Sequence, residues 1–272
     1  MENVKGYYGF LPTSVWNVIK SSTWVNLIQD EGDLFRKKSG AKTYALPNLK
    51  YSEFNPDVAE RIVRYWSQEG DLIVDPFGGR ATRAIVSIKL KRDYIGFEIS
   101  PSTYRFTNER LDYVKEMFEY AFDFVDHILG DARIILGNGC RMFDVANESA
   151  DFIFTCPPYH DVEKYESVEN QLSDIEEYED FLEKILLCVH NCYRVLKPGK
   201  FAVWVVADWR RQGTFKCFHK DCIDIFLKQG FKLWDIIISM IHSPFTFLGI
   251  GNCEEKKYTS KAHEYILVFK KD

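Results

Sequence analysis

From about Glu69 onward, short continuous apolar runs alternate with segments whose apolar positions recur every three or four residues. This alternation argues for a parallel sheet with crossover helices. Leu72-Ile73-Val74 is the first run, as expected of a central strand covered on both faces. A helix is expected from about Thr82 to Leu90, a second strand at Tyr94–Phe97, and a helix from about Pro101 to Phe118. Arg133–Leu136 and Phe152–Phe154 read as the third and fourth strands. Tyr178, Phe181, Leu182, Ile185, Leu186, Val189 and Leu196 then mark an amphipathic helix, with acids between them. Leu196-Lys197-Pro198-Gly199-Lys200 stops it, and Phe201–Val206 is the fifth strand. A helix from about Lys220 to Lys228 ends at Gly230, and two β-rich segments follow, Phe231–Ile241 and Glu264–Phe269.

Two stretches stand outside this rhythm. The 22 residues from His242 to His263 are too many for a tight hairpin and read as either a working loop, with target recognition a candidate role, or a disordered one. Residues 1–50 form an N-terminal extension before the main domain, 51–272. They carry Trp16, Trp24 and the basic cluster Arg36, Lys37, Lys38 and Lys42, which is either solvated surface or a phosphate-contact patch.

Composition narrows the class. At 272 residues, 46 % hydrophobic and 15 % aromatic, the chain can bury a large core and is not a disordered type. No apolar run reaches membrane-spanning length and the start shows no signal-peptide pattern, so a cytoplasmic setting is expected. Seven cysteines without a secretory leader agree with reduced thiols. Cys188, His190 and Cys192, and likewise Cys217, His219 and Cys222, lack paired C-x-x-C spacing, so no metal is expected. The net charge of −5 means that any nucleic-acid contact must rest on local patches.

Candidate chemistry gathers at strand ends. Asp75-Pro76-Phe77-Gly78-Gly79-Arg80-Ala81-Thr82 joins strand to helix where open α/β sheets bind ligands. Glu98, ending the second strand with Ile99 beside it, is placed to accept hydrogen bonds from the ribose hydroxyls of an adenosine cofactor. The loop lacks G-x-G-x-x-G spacing, and Asp75 would repel a pyrophosphate. A carboxylate there suits a cofactor with a cationic amino-acid end, such as S-adenosylmethionine. Gly137-Asn138-Gly139 either meets the adenine edge or is a plain turn. Asn55-Pro56 reads as an N-cap and first helical residue, and Phe54 before it as a pocket wall.

The fourth strand runs into Thr155-Cys156-Pro157-Pro158-Tyr159. Prolines fix φ and lack N–H groups, so nearby carbonyls point outward and can accept from an exocyclic amine. Tyr159 is either a stacking platform for a flipped base or a core aromatic. Glu163 and Tyr165 read the base edge or lie on the surface, and Arg210 and Arg211 hold phosphates or are solvated.

These residues resemble the DNA amino-methyltransferases, whose cofactor motif D-P-F-x-G-x-G-T is matched by Asp75–Thr82 with Ala81 for the second glycine. Their catalytic motif, [D/N/S]-P-P-[Y/F/W], is matched by Cys156–Tyr159. Thr155 through Ser167 is similar to the S-C-P-P-Y-x-D-L-E-x-Y-S segment of small phage and bacterial members, as are Phe54-Asn55-Pro56 and Lys261-Ala262-His263 to their flanking motifs. The resemblance spans about residues 52–270. It implies a class I S-adenosylmethionine-dependent methyltransferase fold, α/β and Rossmann-like, with a mostly parallel seven-stranded sheet and an antiparallel last strand. It implies DNA as partner, methylation of cytosine N4 or adenine N6, and a monomer or homodimer. Cys156 stands where Asp, Asn or Ser is usual. A thiol is a weak acceptor, so activation is expected from backbone carbonyls, Thr155 or Glu163. The missing Asp or Asn tilts the reading toward cytosine N4. An RNA base amino-methyltransferase and a non-catalytic cofactor-binding module are the competing readings.

Overall fold

The computed structural model describes residues 13–17, 54–121, 129–160, 166–211, 213–241, 253 and 255–272. Among them, ten strands and five α-helices follow in the order β1 (Val15–Trp16), α1 (Pro56–Trp66), β2 (Leu72–Asp75), α2 (Thr82–Lys89), β3 (Asp93–Glu98), α3 (Pro101–Ala121), β4 (Ala132–Leu136) and β5 (Ala150–Thr155). Next come α4 (Tyr178–Val195), β6 (Leu196–Val206), β7 (Trp209–Arg211), β8 (Thr214–Lys216), α5 (Phe218–Lys228), β9 (Lys232–Met240) and β10 (His263–Lys270).

Eight strands share one sheet in the order β1-β9-β10-β6-β5-β2-β3-β4, and β7 and β8 form a separate hairpin. The sheet has one strand more than the seven expected, because Val15 and Trp16 add parallel to Ile238 and Ser239 of β9. A two-residue strand carries no readable period. Trp16 is nonetheless buried against Trp66, so this piece of the N-terminal segment belongs to the main core. Trp24, the basic cluster and 242–252 lie outside the described residues. Among the described strands of the eight-stranded sheet, only β10 runs antiparallel to its neighbours on both sides, β6 and β9.

Strand residues alternate between two cores. Ile73, Phe152, Phe154, Val203, Val205, Ile266 and Val268 pack on the face with α1 and α2. Val74, Ile153, Ala202, Trp204, Val206, Leu267 and Phe269 face α4 and α5. Both faces are covered, which is why these strands read as continuous apolar runs. From β2 the chain steps outward through β3 and β4, and from β5 it steps the other way to β6. The crevice beyond the carboxyl ends of β2 and β5 is therefore the switch point where such sheets take ligands.

Candidate active site

The glycine loop leaves β2 at this switch point. Gly79 adopts φ +56°, and a side chain on Gly78 would press on the Phe97 carbonyl at 3.2 Å. Ala81 occupies the left-handed region at φ 70° directly before α2. Residues of α3 grip the loop from behind. Thr107 donates to the Gly79 carbonyl and Arg110 to that of Arg80, each at 2.6 Å. Gly139 closes the other side, since a Cβ there would overlap the Pro76 carbonyl at 1.9 Å. Asn138 spends its side-chain oxygen on the Cys140 amide at 2.9 Å, so its carbonyl arm serves a turn. Asn55 caps α1 by accepting from the Asp57 amide at 3.0 Å, with Pro56 as first helical residue.

Asp75, expected from the sequence to meet the cofactor, makes its hydrogen bonds inside the protein. Its carboxylate is fully buried and is saturated from within. Arg83 Nε and the Tyr94 hydroxyl donate to Oδ2 at 2.6 Å each, while the Thr155 hydroxyl at 2.5 Å and the Phe77 amide at 2.9 Å donate to Oδ1. The cation that Asp75 holds is Arg83, whose guanidinium also donates to the Phe77 carbonyl and lies 5.2 Å from the centre of the Phe54 ring. Phe54 packs edge-on against Phe154 at 5.6 Å, so it walls this buried pair. Thr155 is fully buried and gives its hydroxyl proton to Asp75, while its oxygen keeps its acceptor lone pairs.

Glu98 behaves in the opposite way. It is only partly buried, and desolvation pushes its pKa up to about 7, although the amides of Ser100, Ile99 and Gly79 stabilise the charged form. Asp75 adds repulsion. Leu136 lies opposite it in the β3–β4 register and is 49 % exposed, an apolar surface beside the acid. Ser100 extends the connection. Its amide donates to Glu98 at 2.8 Å, and its hydroxyl donates to Glu166 at 2.6 Å, where the Ser102 hydroxyl also donates at 2.6 Å. Glu166 thus holds the start of α3, and these donors lower its pKa. Nothing in the sequence singled out Glu166.

Pro157, Pro158 and Tyr159 follow β5 at the same crevice. Cys156 and Tyr159 are half-buried, Cys156 against the α1 side and Tyr159 against the α4 side. The Tyr159 ring sits 6.0 Å from Trp209, which also meets Tyr178 and Phe218. His160 packs between Tyr178 and Phe181. Tyr159 is therefore a half-buried ring at the edge of an aromatic cluster, tilted against Trp209. Next to Trp209, buried Asp208 accepts from the His219 amide at 3.1 Å and pairs with its Nδ1 at 2.8 Å, while Cys217 Sγ lies 3.7 Å from that nitrogen. These three groups, all of metal-ligating type, lie within 4.8 Å of one another, a gathering that the sequence spacing of Cys217, His219 and Cys222 did not suggest. Arg210 and Arg211 are exposed on β7, Arg210 bonded to the Gly213 carbonyl at 2.9 Å. Glu163 and Tyr165 lie outside the described residues.

Comparison with known proteins identifies the family and the fold. A family model described as DNA methylase matches residues 12–109 and 150–272. The chain is 29 % identical over 167 residues to the type II methyltransferase M.MjaI of Methanocaldococcus jannaschii, covering 51 % of this chain and 55 % of that protein. It is 28 % identical over 158 residues to the type II methyltransferase M.MthZI of Methanothermobacter thermautotrophicus, covering 52 % of this chain and 44 % of the relative. The matches thus span about half the length of these curated relatives. Among solved structures, a SAM-dependent methyltransferase of Methanosarcina mazei superposes with TM-score 0.50 at 13 % identity, over 77 % of this chain and 96 % of that one. The fold is that of the class I methyltransferases. No helix among the described residues is long and apolar enough to cross a membrane.

Proposed function

Because this chain belongs to the N6/N4 DNA methylase family, we propose that it transfers a methyl group from S-adenosylmethionine to the exocyclic amine of a base flipped out of DNA. The 2.5 Å hydrogen bond from Thr155 to Asp75 carries this reading. It ties the last residue of the strand before the diproline corner to the first residue of the glycine loop, holding acceptor and donor sites at one crevice.

The residues present fit that cofactor. Glu98 takes the ribose hydroxyls, and its desolvated carboxyl gains from donors that favour the charged form. Gly78 and Gly79 let backbone approach closely, with Pro76, Phe77 and Thr82 shaping the loop. Ile99, Asn138 and exposed Leu136 flank the adenine, and Phe54, Asn55 and Pro56 close the α1 side. Once bound, the cofactor supplies an electrophilic sulfonium methyl, so no protein nucleophile is required.

The outward carbonyls of Cys156 and Pro157 accept from the target amine. This draws its lone pair out of conjugation and stabilises the positive charge developing on nitrogen. With Thr155 fully buried beneath the corner, these carbonyls take the larger share, with Thr155 and Glu163 further acceptors. Tyr159 and Pro158 support the base, Tyr165 its edge, and Arg210 and Arg211 the flanking phosphates. Cys156, in place of Asp or Asn, favours N4 of cytosine over N6 of adenine.

The test is transfer from tritiated cofactor into duplex DNA, followed by digestion and mass spectrometry of the nucleosides. N4-methylcytosine is expected; N6-methyladenine would keep the reaction and correct the base. Label appearing only in RNA, or cofactor binding with no transfer, would overturn the reading. Tyr159→Ala is expected to abolish transfer and Cys156→Ser to retain it.

A further inference from the structure

We infer that the groove beside the β7–β8 hairpin is a second DNA contact site, taking the sugar-phosphate strand that continues from the flipped base; this rests on the methyl-transfer reading above. The hairpin is a ribbon with two unlike faces. Its register pairs Trp209 with Lys216 and Arg210 with Phe215. Trp209 turns to Tyr159, and the Lys216 ammonium lies 4.2 Å from the centre of the Tyr178 ring on that side. One step along, and so on the opposite face, Arg210 and Phe215 line the groove with Cys253, Lys257, Tyr258 and Lys261. Its volume is about 440 Å³.

The lining is opposite in sign to the chain as a whole. Among the described residues that line it, Arg210, Lys257 and Lys261 are the charged members and none is a carboxylate, in a protein of net charge −5. The cations interleave with rings. Arg210 lies 5.5 Å from the ring centres of both Phe215 and Tyr258, and Lys261 lies 4.5 Å from that of Phe215. The bond from Arg210 to the Gly213 carbonyl fixes the guanidinium and engages only one of its five donors. A cationic track with stacking rings is what a single nucleic-acid strand requires: phosphates on the charges, a base on an aromatic face. A polyanion without bases would leave Phe215 and Tyr258 unused. Because Trp209 and Arg210 are consecutive, a strand leaving Tyr159 crosses only the thickness of the hairpin to reach the groove.

The test is anisotropy of a fluorescein-labelled oligodeoxynucleotide with the full chain across a salt series. The Lys257→Ala/Lys261→Ala pair is expected to weaken binding about tenfold and flatten the plot of log affinity against log salt by about 1 to 2. Oligonucleotide is also expected to slow alkylation of Cys253, read by peptide mass mapping. An unchanged slope together with unprotected Cys253 would overturn the groove while leaving methyl transfer standing. Loss of transfer in the native protein with slope and protection intact would remove the catalytic reading and keep the groove. Tighter binding of RNA than of DNA of the same sequence would overturn the assigned partner.

Discussion

Asp75 and Glu98 end adjacent parallel strands on the same edge of the sheet, and the structure puts them to opposite uses. Asp75 is sealed and accepts four hydrogen bonds, one from a guanidinium. Glu98 remains partly open, is met by backbone amides, and is held near neutrality by burial. A carboxylate with every lone pair engaged is a structural pin. One whose charge is poorly supported is a receptor for new donors. Strand-end position therefore locates a ligand crevice but does not say which acid serves it.

The contrast can be broken most forcefully at Asp75. Asp75→Ala strands Arg83, Tyr94 and Thr155 in the core and is expected to cost about 3–5 kcal/mol, seen as a large drop in thermal midpoint. If that variant melted like the native chain, Asp75 would not be a pin. Glu98→Gln removes a carboxyl that burial disfavours, and is expected to raise the midpoint at neutral pH but to weaken cofactor binding by about 10- to 100-fold in calorimetry, the worth of charge-assisted hydrogen bonds. Equal effects of the two substitutions on stability would erase the distinction.

Titration sharpens it further. Glu98 in the folded protein holds a proton up to about pH 7, whereas an ordinary glutamate loses it near 4.5. Over that window the folded state binds more protons than the unfolded one, so Glu98 makes the ligand-free protein less stable as pH rises. A cofactor that uses the carboxylate must displace the proton, so its affinity is expected to rise about tenfold from about pH 6 to 8. Glu98→Gln should flatten that profile. The smallest effect is expected at Thr155→Val, which removes one hydrogen bond from Asp75 and should cost about 1 kcal/mol in denaturant unfolding.

Local chemistry was readable from the chain. The Asn55-Pro56 cap, the glycine loop and the diproline corner each depend on residues within a few positions. What escaped depends on distance. The internal partners of Asp75 stand far away in sequence, Tyr94 by 19 residues and Thr155 by 80. Glu166 reaches Ser100 across 66 residues. The three-residue strands of the β7–β8 hairpin and the two-residue β1 are too short to show a period, so Trp209 and the extra sheet member went unseen.

The place of β10 bears on how the protein is made. It is the last strand described, yet it lies inside the sheet, between β6 and β9. While a nascent chain still holds that segment in the ribosome, β9 has no partner joining it to β6, and the apolar edge of β6 lies open. Synthesis at about 5–20 residues per second leaves a half-built sheet waiting for its central member. The β6 side of the sheet therefore closes only once β10 has emerged and paired with both neighbours.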